Sequence, residues 1–219
     1  MPRRKIPLTE NEHYHIYNRG TDKRDIFTDD EDIRRFLQCM VEFNVIEPIG
    51  SIYQNTFVKK NHQLRTPSPK LVEIVAYCLN PNHYHLILKQ VTEHGISKFM
   101  QRIAGGYTNF FNTKYERSGV LFQGPFKSSH IGSDAYFTHV SAYVNLNHRV
   151  HQIEGEDLKF VRSSWDEYMS GGNKGMCSKD AILAYFKDKE AYRAFAERSV
   201  LETVLRRKKE KEWKGMLLD

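Results

Sequence analysis

The sequence has little cysteine and no long apolar run. Its three cysteines, Cys39, Cys78 and Cys177, are odd in number and show no C-x-x-C spacing, which excludes a disulfide framework and a four-cysteine zinc site. No segment approaches the roughly 18 consecutive apolar residues of a membrane-spanning helix. The N-terminal segment MPRRKIPLTENEHYH carries charge but lacks the apolar core of a signal peptide. These absences predict a reduced, cytoplasmic protein with no membrane partner.

Positive charge exceeds negative charge by a small margin. The 33 lysines and arginines outnumber the 27 aspartates and glutamates, which gives a net charge of +6 over 219 residues. This balance favours a polyanionic partner, although ribosomal proteins, nucleases and ordinary basic proteins all share it. Hydrophobic residues make up 40% of the chain, so it can bury a core as one enlarged domain or as one domain with an appendage.

Hydrophobic periodicity predicts strands and helices in a defined order. Strands are predicted at HYHIYNRG (13–20), LVEIVAYCL (71–79), HYHLILKQ (83–90) and FKSSHI (126–131). Helices are predicted over 28–46, 96–111 and 133–150. The order strand, helix, strand, strand, helix, strand indicates an α+β, ferredoxin-like fold: an antiparallel four-stranded sheet with two helices on one face and the other face free. The helix over 133–150 then follows as a third helix.

Polar and glycine-rich segments separate these elements. Residues 54–70 hold two prolines and four cations and are predicted to form a loop. Gly105 and Gly106, inside the second helix, indicate either the close approach of another backbone or a bend. We place a domain boundary near residue 152, which divides the chain into a domain over 1–152 and a helical C-terminal extension over 153–219. Within the extension, a turn-rich linker over 163–175 is followed by two predicted helices that end in a basic run.

Two histidines stand one residue apart in the second strand of the predicted hairpin. Alternate side chains of a strand point to the same face, so His83 and His85 emerge together while Tyr84 points to the opposite face. Two neutral imidazoles suit a divalent metal, but an exposed or hydrogen-bonded pair has the same pattern. His13 and His15 repeat the spacing in the first strand and form a less favoured alternative pair of ligands. Because this topology places the first strand beside the third, they can also neighbour a site formed by His83 and His85.

The third predicted helix carries Tyr143 and Asn147 four residues apart, on one face. The amide oxygen of Asn147 can act as a third metal ligand, and the phenol of Tyr143 can lie near the metal. The same spacing also fits a half-buried tyrosine and an asparagine at a frayed helix end. A zinc site that combines Cys78 with His83 and His85 is a further alternative.

Four segments together resemble the REP-associated tyrosine transposases, relatives of the single-tyrosine insertion-sequence transposases of the His-hydrophobic-His (HUH) nuclease superfamily. The segments are HYHIYNRG, LNPNHYHLIL, LFQGPFKSSHI and YVNLNHRV, and the resemblance covers roughly residues 12–170. It implies that His83 and His85 bind a divalent metal, Mg²⁺ or Mn²⁺, with Asn147 as the third ligand. It also implies that Tyr143, on the third helix, is the catalytic nucleophile.

Two departures from the family pattern affect the third ligand. The relatives commonly continue from this asparagine with proline, whereas His148 follows Asn147 here. The helix is therefore free to continue, and His148 or His151 can compete for the metal. Some relatives also have glutamine where this chain has Asn147.

The resemblance implies DNA transposition through cleavage of single-stranded DNA by transesterification. Tyr143 attacks a phosphodiester and forms a 5′-phosphotyrosine, which leaves a 3′-hydroxyl for later rejoining. Tyr107, on the apolar stripe of the second helix, is the rival nucleophile. The implied partners are single-stranded DNA and hairpins of repetitive palindromic DNA, and the oligomeric state stays open between monomer and dimer.

Several cations are candidate contacts to DNA phosphates. They are Arg19, Lys23, Arg24, Lys127, Arg206 and Arg207. The basic tail that holds the last two equally fits a solvated helix end. The main alternative function is a non-catalytic module that binds single-stranded nucleic acid on an open sheet, although the chain lacks the aromatic-rich signature of RNA-recognition modules.

Overall fold

The computed structural model describes residues 7–53, 69–170 and 175–216. Residues 54–68 of the predicted loop and residues 171–174 of the predicted linker therefore lie outside the described residues. Of the helices in the part that is described, none combines the length and the apolar character needed to cross a membrane.

An antiparallel sheet forms the centre of the fold. Its strands are β1 (His13–Arg19), β2 (Val72–Asn80), β3 (His83–Gln90), β4 (Lys127–Ile131) and β5 (Arg162–Ser163), in the spatial order β4-β1-β3-β2-β5. The helices are α1 (Asp30–Glu42), α2 (Gly95–Lys114), α3 (Asp134–Asn145), α4 (Asn147–Val150), α5 (Trp165–Met169), α6 (Asp180–Leu183) and α7 (Lys189–Met216). The predicted α+β class, the four strands and the hairpin are confirmed, and the sheet gains a fifth strand at one edge.

The first face of the sheet packs against α1 and α2, as the periodicity predicts. Tyr84, Leu86 and Leu88 of β3 are fully buried there. They share a core with Phe36 of α1 and Phe99 of α2. The opposite side chains of β3, among them both histidines, therefore point to the second face.

The prediction that the second face is free was wrong. Cys78 and Ile87 of the sheet lie in a second core with Phe137 of α3 and with Tyr192 and Ala196 of α7. The apolar stripes of α3 and α7 need a surface to bury them, and this sheet face is the surface that they use. An open sheet platform of the kind found in RNA-recognition modules is therefore absent from the described residues.

The prediction of a turn-rich linker from residue 163 was also wrong over the described residues 163–170. Ser163 belongs to β5, and Trp165–Met169 form α5. Ser164 fixes this segment to the sheet, because its backbone N–H donates to the Tyr77 carbonyl at 2.9 Å and its Oγ accepts from the Tyr77 N–H at 2.9 Å. The boundary near residue 152 stays a prediction, and residues on both sides of it contribute to the second core.

The predicted helix over 133–150 is interrupted. It ends as α3 at Asn145, and Leu146 adopts φ −112° and ψ 26° before α4 begins at Asn147. Asn147 is fully buried in this position. Tyr143 and Asn147 therefore belong to two short helices instead of one continuous helix face.

Candidate active site

The two histidines of β3 lie at the end of the second sheet face that the second core leaves open. His85 is buried and His83 is half-buried. Both line a cavity of about 420 Å³ whose wall also includes Tyr143 and His151. The predicted common face of His83 and His85 is thus present, and it opens into a space large enough for a ligand.

The side chains of three asparagines surround His83. Its Nδ1 lies 2.6 Å from Asn82 Oδ1, so Nδ1 donates and Nε2 carries the lone pair. Asn80 Nδ2 donates both to His83 Nε2, at 2.9 Å, and to Asn147 Oδ1, at 2.8 Å. His83 Nε2 and Asn147 Oδ1 are therefore both acceptors, and they lie 3.1 Å apart. Two acceptor atoms at this separation fit a shared cation.

His85 has a hydrogen-bond partner on the neighbouring strand. His15 Nε2 lies 2.8 Å from His85 Nδ1, and the two rings stack with centroids 5.0 Å apart. The bond leaves Nε2 of His85 available as a ligand. His15 therefore neighbours the site, as the strand order predicts.

His151 joins the pair from the residue after α4. The ligand atoms of His83, His85 and His151 all lie within 4.8 Å of one another. His148 does not belong to this group, although its Nδ1 is buried without a hydrogen-bond partner among the described residues. Asn147 and His151 are thus both placed to complete a site with the two β3 histidines.

The protonation states suit metal binding. Burial lowers the pKa of His83 and brings the pKa of His85 well below 6.5, and desolvation lowers the pKa of His151 to about 4. All three imidazoles are therefore neutral at pH 7, the form that binds metals. Burial raises the pKa of the Cys78 thiol to about 12, and its Sγ donates to Asn80 Oδ1. Cys78 does not belong to the group of close ligand atoms that His83, His85 and His151 form, so the described residues do not support the zinc alternative.

Tyr143 projects from α3 toward the histidines. Its ring centroid lies 5.5 Å from that of His85 and 5.9 Å from that of His15. The side chain borders the smaller cavity and also a larger one of about 1020 Å³ between the sheet, α3 and α7. Tyr107, in contrast, is fully buried in the first core, where its Oη donates to the Ile26 carbonyl. Tyr107 packs, whereas Tyr143 faces open space.

Comparisons with known proteins identify the family. Residues 9–147 match the family model described as IS200-like transposases. This chain belongs to the IS200-like transposase family. It is therefore a transposase that acts on DNA. No curated protein matches the chain.

A solved structure supports the fold. The structure of a REP-associated tyrosine transposase bound to a REP hairpin superposes with a TM-score of 0.51 at 13% sequence identity. The similarity covers 82% of this transposase and 96% of the other chain. The segment matched by the family ends at Asn147, so His151 and all of α7 lie beyond it.

The predicted DNA contacts of the transposase fall into three groups. Arg19, Lys23 and Lys127 line the smaller cavity with the histidines. Arg206 and Arg207 line the larger cavity. Arg24 lies outside both linings, and its Nε donates to the Thr21 carbonyl at 3.1 Å.

Sequence reasoning missed the asparagines around His83. The NPN composition of residues 80–82 indicates only a hairpin turn, so it does not point to Asn80 and Asn82 as side chains of the site. Their position directly before an H-x-H pair is the signal that could have indicated a role in orienting the first histidine.

Proposed function

We propose that this transposase cleaves and rejoins single-stranded DNA through a covalent bond between Tyr143 and a 5′-phosphate. One observation carries the proposal: the phenol of Tyr143 lies against His85, in the same cavity as His83, His151 and three cations. A nucleophile, a candidate metal site and phosphate-binding side chains therefore converge on one space.

The chemistry of the donor set fits a divalent metal. His83 and His85 would hold it, with Asn147 Oδ1 or His151 as a further ligand. When bound there, Mg²⁺ or Mn²⁺ polarises the phosphate oxygens as a Lewis acid, and the imidazoles suit Mn²⁺ better than Mg²⁺.

The covalent step is a balanced exchange of esters. The Tyr143 Oη–phosphorus bond forms as the bond from phosphorus to the 3′-oxygen breaks, which leaves a 5′-phosphotyrosine. The phenol loses its proton and the departing 3′-oxygen gains one, so the step consumes no water and no nucleotide. Attack by a new 3′-hydroxyl reverses the step and rejoins DNA.

The cations and aromatic rings around Tyr143 fit a single strand. Arg19, Lys23 and Lys127 line the smaller cavity together with the tyrosine and can neutralise phosphates. Tyr17 borders both cavities, and Tyr136, which is 43% exposed, borders the larger one. Unpaired bases stack on such rings. Because the structural neighbour is bound to a REP hairpin, we extend the proposal to cleavage beside a hairpin-forming repetitive element.

Covalent capture on labelled single strands tests the proposal. Oligonucleotides from the genomic flanks of the gene are incubated with the wild type, Tyr143→Phe and Tyr107→Phe, with Mn²⁺ or EDTA, and separated on a denaturing gel. We expect a Mn²⁺-dependent protein–DNA band with the wild type and Tyr107→Phe and no band with Tyr143→Phe. A band that persists in Tyr143→Phe would contradict the assignment of Tyr143 as the nucleophile. Binding without a band on any flank would favour a non-catalytic module.

A further inference from the structure

The C-terminal helix α7 reaches the candidate active site from outside the segment that the family model matches. Tyr192 anchors its first turn, because Asn145 Nδ2 donates to the Tyr192 hydroxyl at 2.8 Å. Ser199 Oγ lies 3.0 Å from His139 Nδ1 of α3. Ser199, Thr203 and Arg207 follow one another at four-residue intervals along α7, and all three line the larger cavity. The packing of α7 on α3 therefore directs Arg207 toward the tyrosine.

Arg207 contacts the reacting atom of Tyr143. Its Nη2 donates to Tyr143 Oη at 3.2 Å, and its guanidinium carbon lies 5.7 Å from the centre of the tyrosine ring. The neighbouring Arg206 instead has its Nε 3.9 Å from Glu210 Oε1, one turn further along the helix. An arginine that rests on a surface tyrosine by chance would also show a ring contact. Two further observations distinguish Arg207 from such a chance contact. It lines the same cavity as His85, and it donates a hydrogen bond to the tyrosine oxygen that is proposed to attack the phosphate.

We propose that Arg207 is a further catalytic residue, which binds the Tyr143 phenol oxygen and the scissile phosphate at the same time. The inference rests on the proposed function of Tyr143. In-line attack brings the phosphorus to about 3–3.5 Å from the attacking oxygen. A guanidinium already bonded to that oxygen then reaches a non-bridging phosphate oxygen with another of its five N–H donors.

Such a contact stabilises the transition state more than the bound substrate. Negative charge builds up on the phosphoryl oxygens during transfer, and a fixed arginine beside them lowers the barrier. The C-terminal helix would thus complete the active site of its own chain.

The test compares variants of two exposed arginines on α7. Arg207→Ala and Arg207→Lys alter the proposed contact, and Arg198→Ala removes the same charge from a position outside both cavity linings. The rate of covalent band formation is measured in single turnovers at saturating oligonucleotide, and oligonucleotide binding is measured separately by fluorescence anisotropy. We expect Arg207→Ala to slow the covalent step by about 100-fold or more while binding weakens by less than about 10-fold. Arg207→Lys should be intermediate and Arg198→Ala unchanged.

Rescue by added guanidinium ions distinguishes a catalytic role of Arg207 from a structural one. We expect millimolar guanidinium to restore part of the rate of Arg207→Ala and to leave the wild type unaffected. An Arg207→Ala rate equal to that of the wild type would overturn the inference while the covalent band upholds the proposed function. A faster rate would overturn it too, because α7 would then act as a brake. If the wild type forms no covalent band, both the proposed function and the role of Arg207 would be contradicted.

Discussion

His15 Nε2 lies 2.8 Å from His85 Nδ1, and both imidazoles are buried. The two residues are not directly opposite in the β1–β3 register, which pairs Tyr17 with His85 and His15 with Ile87. The rings therefore meet along a diagonal of the sheet. The bond occupies the Nδ1 of His85 and fixes the orientation of its ring, which directs Nε2 toward the site.

Removing His15 should weaken metal binding without removing a ligand. We expect His15→Ala to lower the affinity for Mn²⁺ by about 10- to 100-fold, the usual effect of losing a hydrogen-bond partner of a ligating histidine. Isothermal titration calorimetry measures this directly. His94→Ala, which alters an exposed histidine at the start of α2, is the matched control and should bind like the wild type. Equal affinity in His15→Ala and His94→Ala would contradict an orienting role.

Asn147 and His151 are the two candidates for the third ligand of the proposed metal, and their surroundings favour Asn147. Asn147 is fully buried and its Oδ1 is held by Asn80, whereas His151 is exposed. We therefore expect Asn147→Ala to weaken Mn²⁺ binding by 10-fold or more, and His151→Ala to have a smaller effect, because a fixed ligand loses less entropy on binding. Titration calorimetry ranks the two variants, and thermal unfolding shows that both are folded. The opposite ranking would assign the ligand to His151.

Metal-free protein should lose stability on mild acidification. Burial lowers the pKa of His15 from 6.5 to about 4. Between these two values the unfolded chain binds a proton that the folded chain does not, so acidification favours unfolding by about 1.4 kcal/mol per pH unit. Urea unfolding in EDTA at pH 7, 6 and 5 measures the slope. His15→Gln should reduce the slope by roughly this amount below pH 6.5, and an unchanged slope would show that His15 titrates normally.

Strand periodicity accounts for the part of the site that the sequence predicts. Because alternate strand residues share a face, the common orientation of His83 and His85 follows from their spacing alone. The predicted strand order also brings His15 close. These inferences need only local geometry and one topological rule.

The remaining features depend on tertiary packing. Leu146 interrupts the predicted third helix although no glycine or proline marks the break. The contact of Arg207 with Tyr143 spans 64 positions and exists only because α7 packs across α3. Apolar stripes in the sequence show that α3 and α7 must bury a face, but they do not show which surface receives it.

The adjacent glycines of α2 provide a paired test of packing. The structure shows no close backbone approach: a Cβ added at Gly106 would lie 2.6 Å from Cε2 of the buried Phe43, whereas one added at Gly105 would have nothing within 4 Å. We therefore expect Gly106→Ala to destabilise the fold by about 1–3 kcal/mol through overpacking. Gly105→Ala should stabilise it by up to about 1 kcal/mol, because alanine favours the helix.

Urea unfolding of the two variants gives both free energies under identical conditions. Since both glycines lie on α2, away from the linings of the two cavities around Tyr143, neither change should alter the rate of covalent band formation. Two variants that are stabilised alike would show that Phe43 shifts to accommodate a methyl group. Two that are destabilised alike would show that α2 requires glycine for its backbone and not for the aromatic ring packed against it.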